Sequence, residues 1–517
     1  MLSIVGYTVL AGLALVGFAL VFFAVGKFLV HFISTRISLY HVPGPSSTSL
    51  LWGEEWNLYH NAPGSHYLEW HQQFGKVLKF RGACGHQVLS ITDERAVSFI
   101  VGAEGIYKFP KPDGVRAWFQ KTLGEGILWI EGKEAHERQR RSLAPALTQQ
   151  SVRNFTHIFY ETSGKLAAQW TKLLDNCQSE EVEIEVTNWA GRFALDTVAR
   201  AAFSYDFNLL SGEPNALAEA LDGLTNNENK LSSFYMRALF WTFPSILSIG
   251  KKGEMIRRTK AELGAIARRM LKDAKIAVDT HLTDDKTLMA LMLKAAAAND
   301  QRLHEDEIVA QMRTVLSAGY ETVSAIVAWV LYELAMNPGL QEELRVEISN
   351  SPPGDPTLNE LTNLPILNSV ILETLRVHPA ILENHHQAAE NISVPLSEPA
   401  PGTSVSQLII PKGTLVVIPV NVLQMDPDLW GQDAHLFRPE RWQGREDKRN
   451  LFAFSQGPRF CIGQRFALAE IKALTVTLVR QFSFRCPYEI EAFQSFVIRP
   501  RVKGQGASSL PLLVRRL

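Results

Sequence analysis

The sequence predicts a mainly α-helical protein with small β-sheets, preceded by an apolar helix that spans a membrane. Much of the chain from residue 94 onward carries apolar residues three and four apart, the pattern of helices with one buried face. Two short apolar runs, Val77 to Phe80 and Val88 to Thr92, are bounded by glycines and charged residues and predict strands of a small sheet. The first 26 residues contain no charged side chain.

The N-terminal apolar stretch, residues 2–26, is long enough to cross a bilayer as a helix, which takes about 20 apolar residues. Lys27, His31 and Arg36 follow it, and positive charge after a span places the rest of the chain on the cytosolic side. A cleaved signal peptide is the alternative. However, no basic segment precedes the stretch, and its length exceeds that of a typical signal core. We therefore predict a membrane anchor at residues 1–34.

A hinge is predicted at residues 35–50, where the prolines and glycine of His41 to Ser47 favour a stiff, non-helical segment. No internal repeat and no further linker follows, so residues 51–517 are predicted to form one large domain. The composition, 46% hydrophobic and 20% charged, is that of a globular protein. A net charge of -1 argues against nucleic-acid binding.

The cysteines are scattered and lack the spacing of a metal finger, which fits a reducing compartment better than a disulfide scaffold. They are Cys84, Cys177, Cys461 and Cys486. Glycosylation sequons occur at Asn154 and Asn391. We interpret both as chance matches, because a cytosolic domain does not meet the glycosylation machinery.

Helical periodicity recurs along the domain. The predicted helices are residues 132–142, 152–174, 186–202, 257–279, 304–337, 365–377 and 464–478. Residues 212–248 predict a helix, a loop and a second helix rich in aromatic side chains. These side chains line a substrate entrance or touch the membrane, or they are ordinary core packing. Residues 408–420 predict a turn beside a strand.

The helix predicted at residues 304–337 is the longest, and Glu321 is its only charged residue between Arg313 and Glu333. A second membrane span is one interpretation of such a run. Polar residues such as Ser317 and Thr322 argue against it, because polar groups are costly in lipid. A central, buried helix of a large domain explains the run better.

Cys461 lies in the run Phe454 to Gly463, which stands directly before the apolar helix predicted at residues 464–478. Free backbone N–H groups and the helix dipole at such a position stabilise a thiolate. Gly457 and Gly463 allow tight turns beside a flat ligand, and Arg459 offers a fork suited to a carboxylate. The alternative for an isolated cysteine is an ordinary buried thiol.

Phe454, Gly457, Arg459, Cys461 and Gly463 match, position by position, the haem-binding signature of the cytochrome P-450 monooxygenases. The chain resembles the microsomal fungal members of this family from Pro43 to about Pro500. The resemblance implies a triangular helical domain around a buried haem b, with Cys461 as the iron ligand and Phe454 and Arg459 beside the cofactor. Thiolate ligation of haem iron favours cleavage of the O–O bond.

The middle of the long helix reads Ala318-Gly319-Tyr320-Glu321-Thr322. Its small residues leave room beside the helix for a flat cofactor, and Thr322 can turn its hydroxyl back to the carbonyl four residues earlier. A hydroxyl with a nearby carboxylate can relay protons; helix packing by small residues is an equally good interpretation of the pattern alone. The resemblance implies that Glu321 and Thr322 are the catalytic proton-relay residues and that Gly319 lies at the cofactor.

His136 and Arg140 are four residues apart and share a helix face. On spacing alone a basic surface helix is the better interpretation. The resemblance implies instead that both residues hold a haem propionate. The neighbouring Arg138 and Arg141 can dock an acidic electron-donor protein.

Glu373 and Arg376 share a helix face as well, which alone indicates a surface ion pair of little value. The resemblance implies a structural lock between this pair and Arg441. One position departs from the family pattern: near His385 or His386, where many members place an arginine, this chain has neutral histidines. We reject a metal site there, since no third ligand stands at useful spacing.

The implied protein is a membrane-anchored monooxygenase of the endoplasmic reticulum that faces the cytosol. It oxidises a lipophilic small molecule with O2 and electrons from NADPH, delivered by a reductase or a cytochrome b-type donor, in fungal secondary metabolism such as terpenoid or polyketide synthesis. The expected pocket walls are residues 110–128, residues 212–248, the helical turn before Gly319, residues 380–384 and the loop near Phe493. A reductase-independent isomerase or peroxide-rearranging enzyme and a non-catalytic haem sensor are the alternatives.

Overall fold

Helices make up most of the protein in the computed structural model, which describes residue 26 and residues 37–177, 179–211, 231–279, 287–290, 303–399, 403–444 and 451–517. The helices of this part are α1 Glu55–His60, α2 Ser65–Phe74, α3 Glu94–Val101, α4 Asp113–Thr122, α5 Lys133–Leu143, α6 Gln149–Asp175, α7 Val186–Phe203, α8 Leu231–Leu239, α9 Gly250–Asp279, α10 Glu305–Met336, α11 Pro338–Ser349, α12 Leu358–Thr362, α13 Pro365–Val377, α14 Val420–Gln424, α15 Pro427–Trp430 and α16 Gln464–Gln481. All seven predicted helices are therefore confirmed. The main difference is that α9 begins several residues before its predicted start.

The strands are short and form small sheets. They are β1 Val77–Arg81, β2 Gln87–Ile91, β3 Glu181–Glu185, β4 Glu383–Gln387, β5 Ile392–Pro395, β6 Gln407–Ile410, β7 Leu415–Pro419, β8 Phe482–Arg485, β9 Ile490–Gln494, β10 Ile498–Val502 and β11 Pro511–Arg516. Among the described residues the largest sheet has the order β1-β2-β7-β4, with β2 and β7 parallel. Strands β3, β11 and β8 form a second sheet in that order. β9 pairs with β10, and β5 pairs with β6, as two-stranded sheets.

The centre of the domain is α10, which packs closely against α7. Small residues make this approach possible. A Cβ added at Gly319 would lie 2.9 Å from Val198 Cγ2, and one added at Gly191 would lie 3.1 Å from the ring of Tyr320. Helix α16, which follows Cys461, packs on α6, so the cysteine is held by the main helical core.

Among the residues described, α10 is the one helix long and apolar enough to cross a bilayer, and most of its side chains are buried. This agrees with a central core helix. The anchor predicted at residues 2–26 lies outside the described residues, Gly26 excepted. The hinge is non-helical from residue 39 onward and packs on the sheet: Leu39 and Val42 are buried, and Pro43 O accepts a hydrogen bond from Lys79 N at 2.8 Å.

Candidate active site

The loop that carries Cys461 is fixed by its own backbone. Cys461 N donates to Phe454 O at 2.8 Å, and Phe460 N donates to Gly457 O at 3.1 Å. Gly457 has φ +68°, and an added Cβ would lie 1.9 Å from Val101 O. The backbone conformation and the lack of space both require glycine here.

The Cys461 thiol lies where opposing effects act on its charge. Burial raises its pKa, while hydrogen bonds from the backbone N–H groups of Gly463 and Gln464 and the positive charge of Arg140 act to lower it; the net direction is upward. The helix N-terminus thus acts with the expected sign but is outweighed by the loss of hydration. The residue nevertheless keeps accessible surface inside the fold. A metal cation bound to this thiol, such as haem iron, would itself stabilise the thiolate, because the charge of a bound cation outweighs the loss of hydration.

Cationic side chains from three segments meet beside this loop. Arg459 Nη2 lies 2.6 Å from Glu131 Oε2, and Lys111 Nζ lies 2.8 Å from Glu131 Oε1. Arg140 Nη1 donates to Phe460 O at 2.9 Å, on the cysteine loop itself. Burial and the neighbouring Arg459 lower the pKa of Lys111 to about 8.

This cluster carries more positive than negative charge. The carboxylate of Glu131 is shared by Arg459 and Lys111. The buried Nε of Arg459 has no hydrogen-bond partner among the described residues. A bound carboxylate would supply the missing acceptor and balance the charge, as a haem propionate does.

His136 is buried in the same cluster and hydrogen-bonds Tyr107 through Nδ1 at 3.1 Å. Burial, together with the charges of Arg459, Arg140 and Lys111, lowers the pKa of His136 to about 3. The imidazole is therefore a neutral hydrogen-bonding group, and the positive charge of the cluster comes from its arginines and lysine. Arg138, on the same helix α5, forms an ion pair with Glu307 at the start of α10.

The predicted residues Cys461, Arg459, Arg140 and His136 thus come together, whereas Lys111, Tyr107 and Glu131 were not found from the sequence. Lys111 stands between two prolines in a loop, and only its charge in that apolar setting offered a signal. Phe454 lies at the base of the cysteine loop, where it is partly buried against the main core.

The middle of α10 has one face that is accessible and another that packs against α7. Ala318 is exposed and Thr322 partly exposed, although the helix runs through the core. Thr322 Oγ1 donates to Ala318 O at 2.8 Å, the back-bond predicted from the sequence. The side of Gly319 that lacks a Cβ faces Val198 on α7. Close helix packing, the alternative held open above, therefore accounts for the small size of Gly319.

Glu321 lies on a buried face of α10. Its side chain is 1% exposed, and Oε2 lies 2.7 Å from Nη2 of Arg499 on β10, whose side chain is 4% exposed. Sequence reasoning missed Arg499, because nothing in the local pattern Ile498-Arg499-Pro500-Arg501 indicates which helix this strand contacts. The one charged residue of α10 between Arg313 and Glu333 is thus charge-paired.

Glu373 and Arg376 form a completely buried pair rather than a surface one. Arg376 Nε donates to Glu373 Oε2 at 2.8 Å, Arg441 Nε donates to Glu373 Oε1 at 2.8 Å, and Trp442 Nε1 donates to Oε2 at 2.8 Å. The network reaches the cysteine loop through Gln424: its Nε2 donates to Arg376 O at 2.9 Å, and its Oε1 accepts from Phe452 N at 2.8 Å. Its role in this fold is to support that loop.

The two histidines of β4 point to opposite faces of the sheet. His386 Nδ1 hydrogen-bonds Phe109 O at 2.9 Å, and burial lowers the pKa of His386 to about 4. His385 contacts Glu383 at 3.3 Å and the ring of Trp241, with the ring centroids 4.6 Å apart. His386 is therefore neutral at physiological pH, and the positive charge of Lys111 contributes to its lowered pKa.

The model of the cytochrome P450 family matches residues 42–502. The chain belongs to the cytochrome P450 family. Cytochrome P450 monooxygenase claQ of Ampulloclitocybe clavipes is 34% identical over 92% of each chain. Cytochrome P450 monooxygenase claU of the same organism is 32% identical over 95% of each chain. Cytochrome P450 monooxygenase 205 of Postia placenta is 32% identical over 95% of this chain and 96% of its own.

Membership of the P450 family confirms the resemblance drawn from the cysteine loop, and the mainly helical fold with small sheets agrees with it. The protein is an oxidoreductase of the monooxygenase type. P450 enzymes use a haem held by a cysteine thiolate and receive electrons from NADPH indirectly, through a reductase.

Proposed function

We propose that the protein is a membrane-anchored P450 that transfers one oxygen atom of O2 to a lipophilic small molecule, and that Cys461 is its axial haem ligand. The observation that carries the assignment is the accessible Cys461 thiol at the start of α16, beside a cluster with surplus positive charge. Thiolate-bound haem supplies the oxygen activation when it is present. Holding the cofactor and relaying protons are the tasks of the protein's own side chains.

The cationic cluster is proposed to hold the haem propionates. Arg459 and Arg140 donate to the carboxylates, Lys111 adds a third positive charge, and neutral His136 adds a hydrogen bond. Phe454 and the backbone near Gly319 flank the cofactor. The unsatisfied Nε of Arg459 supports this assignment, since a buried donor without an acceptor is costly.

Glu321 and Thr322 are proposed as the catalytic proton-relay residues. The Thr322 hydroxyl is partly exposed, which leaves it within reach of a reacting molecule. Its proton is now donated to Ala318 O, and a hydroxyl held in this way can exchange that bond for one to a substrate-side oxygen. The carboxylate of Glu321, next in the chain, takes a proton from water and passes it to the hydroxyl as the hydroxyl gives up its own.

Residues 1–34 are proposed as the anchor in the endoplasmic reticulum membrane, residues 35–50 as the hinge, and residues 51–517 as the cytosolic catalytic domain. The electron donor is an NADPH-dependent reductase or a cytochrome b-type protein that docks on basic side chains such as Arg141 of α5. The substrate is proposed to be a fungal secondary metabolite, such as a terpenoid or polyketide, as the sequence resemblance implies.

An apolar pocket wall supports a lipophilic substrate. Phe496, 41% exposed in the loop between β9 and β10, lies with its ring centroid 6.3 Å from those of both Trp118 and Phe119 on α4. Two of the segments expected to line the pocket, residues 110–128 and the loop after Phe493, therefore meet. A partly exposed aromatic surface of this kind binds apolar ligands.

Carbon monoxide binding tests the assignment of Cys461. The reduced, carbonmonoxy form of the wild type is expected to show the red-shifted Soret band of thiolate ligation, and Cys461→Ala is expected to lose it. Cys177→Ala, which removes an exposed thiol elsewhere, is the matched control and should keep the band. A red-shifted band in the Cys461→Ala protein would overturn the proposal.

Oxygen uptake separates the monooxygenase from its alternatives. With NADPH and a reductase, the full-length protein is expected to consume O2 and oxidise members of a panel of terpenoids and polyketides. An isomerase or peroxide-rearranging enzyme would convert peroxides without reductase. A haem sensor would bind carbon monoxide and turn over nothing.

A further inference from the structure

A buried ion pair joins the middle of the central helix to the C-terminal hairpin. Arg499 Nη2 of β10 lies 2.7 Å from Glu321 Oε2 of α10, with 4% and 1% of the two side chains exposed. Glu321 directly precedes Thr322, the other residue of the proposed relay. The guanidinium thus touches the carboxylate on which proton delivery depends.

The position of Arg499 is fixed by its neighbours on both sides. Ile498 O accepts a hydrogen bond from Trp329 Nε1 at 3.2 Å, which fastens β10 to α10, and Ile498 N donates to Ala380 O at 2.9 Å. Within the hairpin, Arg499 pairs with Phe493 of β9. The guanidinium also lies 5.8 Å from the ring centroid of Tyr320. These contacts hold the cation at one place on α10.

Stability alone does not explain this pair. Taking two charges out of water costs several kcal/mol for each ion, and apolar side chains of similar size often serve a buried position as well or better. What the pair does provide is a carboxylate kept in its ionised form, because an adjacent guanidinium favours the charged state. It also gives that carboxylate one orientation, since the guanidinium is planar and its donors are fixed.

We propose that Arg499 is a positioning residue for proton delivery, one that keeps Glu321 ionised and holds its carboxylate in place beside Thr322. The inference rests on the relay role proposed above for Glu321 and Thr322. In each cycle the carboxylate takes one proton from water and passes one to the Thr322 hydroxyl as that hydroxyl gives up its own. Glu321 then returns to the carboxylate, and Arg499 restores its orientation.

The first experiment measures the charge of Glu321 without turnover. Infrared spectra of the ferric haem protein are recorded in H2O and D2O for the wild type, Arg499→Met, Arg499→Lys and the double variant Arg499→Met/Glu321→Gln, and the wild-type spectrum is subtracted from that of each variant. The Arg499→Met protein is expected to show a new carbonyl stretch of a protonated carboxylic acid. The double variant is expected to lack it, and Arg499→Lys should resemble the wild type. An Arg499→Met spectrum without the new band would overturn the inference.

The second experiment measures NADPH oxidation by the reductase-coupled holoenzyme in H2O and D2O. Arg499→Met is expected to slow the rate roughly tenfold or more, within the roughly 10²–10⁴-fold that proton transfer by a positioned side chain contributes, and to raise the solvent isotope effect. Glu321→Gln should do the same, and the double variant should be no slower than Glu321→Gln alone. Arg499→Lys keeps the positive charge but not the planar guanidinium, so its rate and isotope effect should lie between those of the wild type and Arg499→Met.

Arg501→Met is the matched control. Arg501 lies two residues further along the same strand and is paired with Glu491 at 2.6 Å, with 14% of its side chain exposed. Its loss should leave the isotope effect unchanged. If Arg499→Met accumulates no haem protein, Arg499→Lys and the double variant test the positioning role instead. The double variant removes both charges of the ion pair, so neither is left buried without its partner.

The outcomes separate the inference from the function on which it rests. A normal rate and isotope effect in Glu321→Gln would overturn the relay itself. A slow Glu321→Gln with a normal Arg499→Met would overturn the positioning role alone. If Arg499→Met slows the Glu321→Gln enzyme by the same factor by which it slows the wild type, Arg499 acts independently of Glu321, and the positioning role is overturned as well.

Discussion

At the scale of single residues, the sharpest steric demand in the cysteine loop is at Gly457. A methyl group there would meet Val101 O at 1.9 Å, and the φ of +68° is itself unfavourable for any other residue. We expect Gly457→Ala to displace the loop and to lower the haem bound per chain after expression, measured by absorbance of the extracted haem.

Gly132 provides the control for Gly457. It also has a positive φ, +82°, but an added Cβ would meet no atom within 4 Å. Gly132→Ala should therefore cost only the strain of a backbone conformation that other residues rarely adopt, about 1–3 kcal/mol of unfolding free energy, and should bind haem normally. Equal haem content in the two variants would contradict the steric argument.

Lys111 gives a second prediction at this scale. Its Nζ lies 2.8 Å from Glu131 within the cationic cluster, and its removal leaves one positive charge fewer to hold an anionic ligand. Since a hydrogen bond to a charged group contributes about 1.5–3 kcal/mol, Lys111→Met should release haem to apomyoglobin roughly tenfold faster or more.

Lys108→Met is the comparison for Lys111→Met, because Lys108 is exposed and reaches Glu390 only at 3.9 Å. Identical haem release from the two variants would exclude Lys111 from the propionate site.

The residues of the site differ in how visible they are in the sequence. Cys461, Arg459, His136 and Arg140 belong to local patterns of fixed spacing, so they could be predicted, and the fold does bring them together. Lys111 and Arg499 could not, because their partners lie far away in the chain. Burial and charge pairing between distant segments depend on the packing of the whole domain, and the spacing of residues within one segment does not indicate them.

At the scale of elements, the contact between α10 and α7 decides how Gly319 is understood. Its missing Cβ faces Val198, so Gly319→Ala would press a methyl group against Val198 Cγ2 at 2.9 Å. We expect a loss of about 1–3 kcal/mol of unfolding free energy, as for other overpacked cores, although alanine is intrinsically the better helix former. Thermal unfolding of the haem protein measures it.

A compensating change tests whether packing is the cause. Val198→Ala alone should destabilise by leaving a small cavity, but combined with Gly319→Ala it should restore much of the lost stability, since the methyl group then has space. Additive losses in the double variant would indicate that Gly319 serves something other than the α7 contact.

The bounds of the helices could be predicted from the sequence, whereas the pairing of the strands could not. The 3.6-residue period lies within each helix, so the bounds of α5, α6, α7 and α13 follow the sequence closely. The parallel pairing of β2 with β7 joins segments more than 300 residues apart, and β3 pairs with the C-terminal β11. Such pairings depend on the whole chain, because strands of four to six residues carry little register information of their own.

At the scale of the whole molecule, buried titratable groups make stability depend on pH in two opposite ways. Burial lowers the pKa of His71, His86 and His386 to about 4 from 6.5. The unfolded chain binds protons at these sites between those values while the native state does not, so stability is lost as the pH falls through this range. Buried carboxyls with raised pKa values act the other way.

Glu55 is the clearest of these carboxyls. It is 5% exposed on α1, and burial raises its pKa from 4.5 to about 8, with Arg237 opposing and Glu383 adding to the shift. Between these two pH values the unfolded chain has released the proton that the native state still holds, so the free energy of unfolding falls as the pH rises.

For one proton the slope is about 1.4 kcal/mol per pH unit. Glu55→Gln removes it, and the difference in denaturant midpoint from the wild type should therefore grow steadily in favour of the variant across this range. Glu94→Gln, on an exposed first turn of α3, should leave the pH profile as it is. Parallel profiles for Glu55→Gln and the wild type would show that Glu55 is ionised in the folded domain.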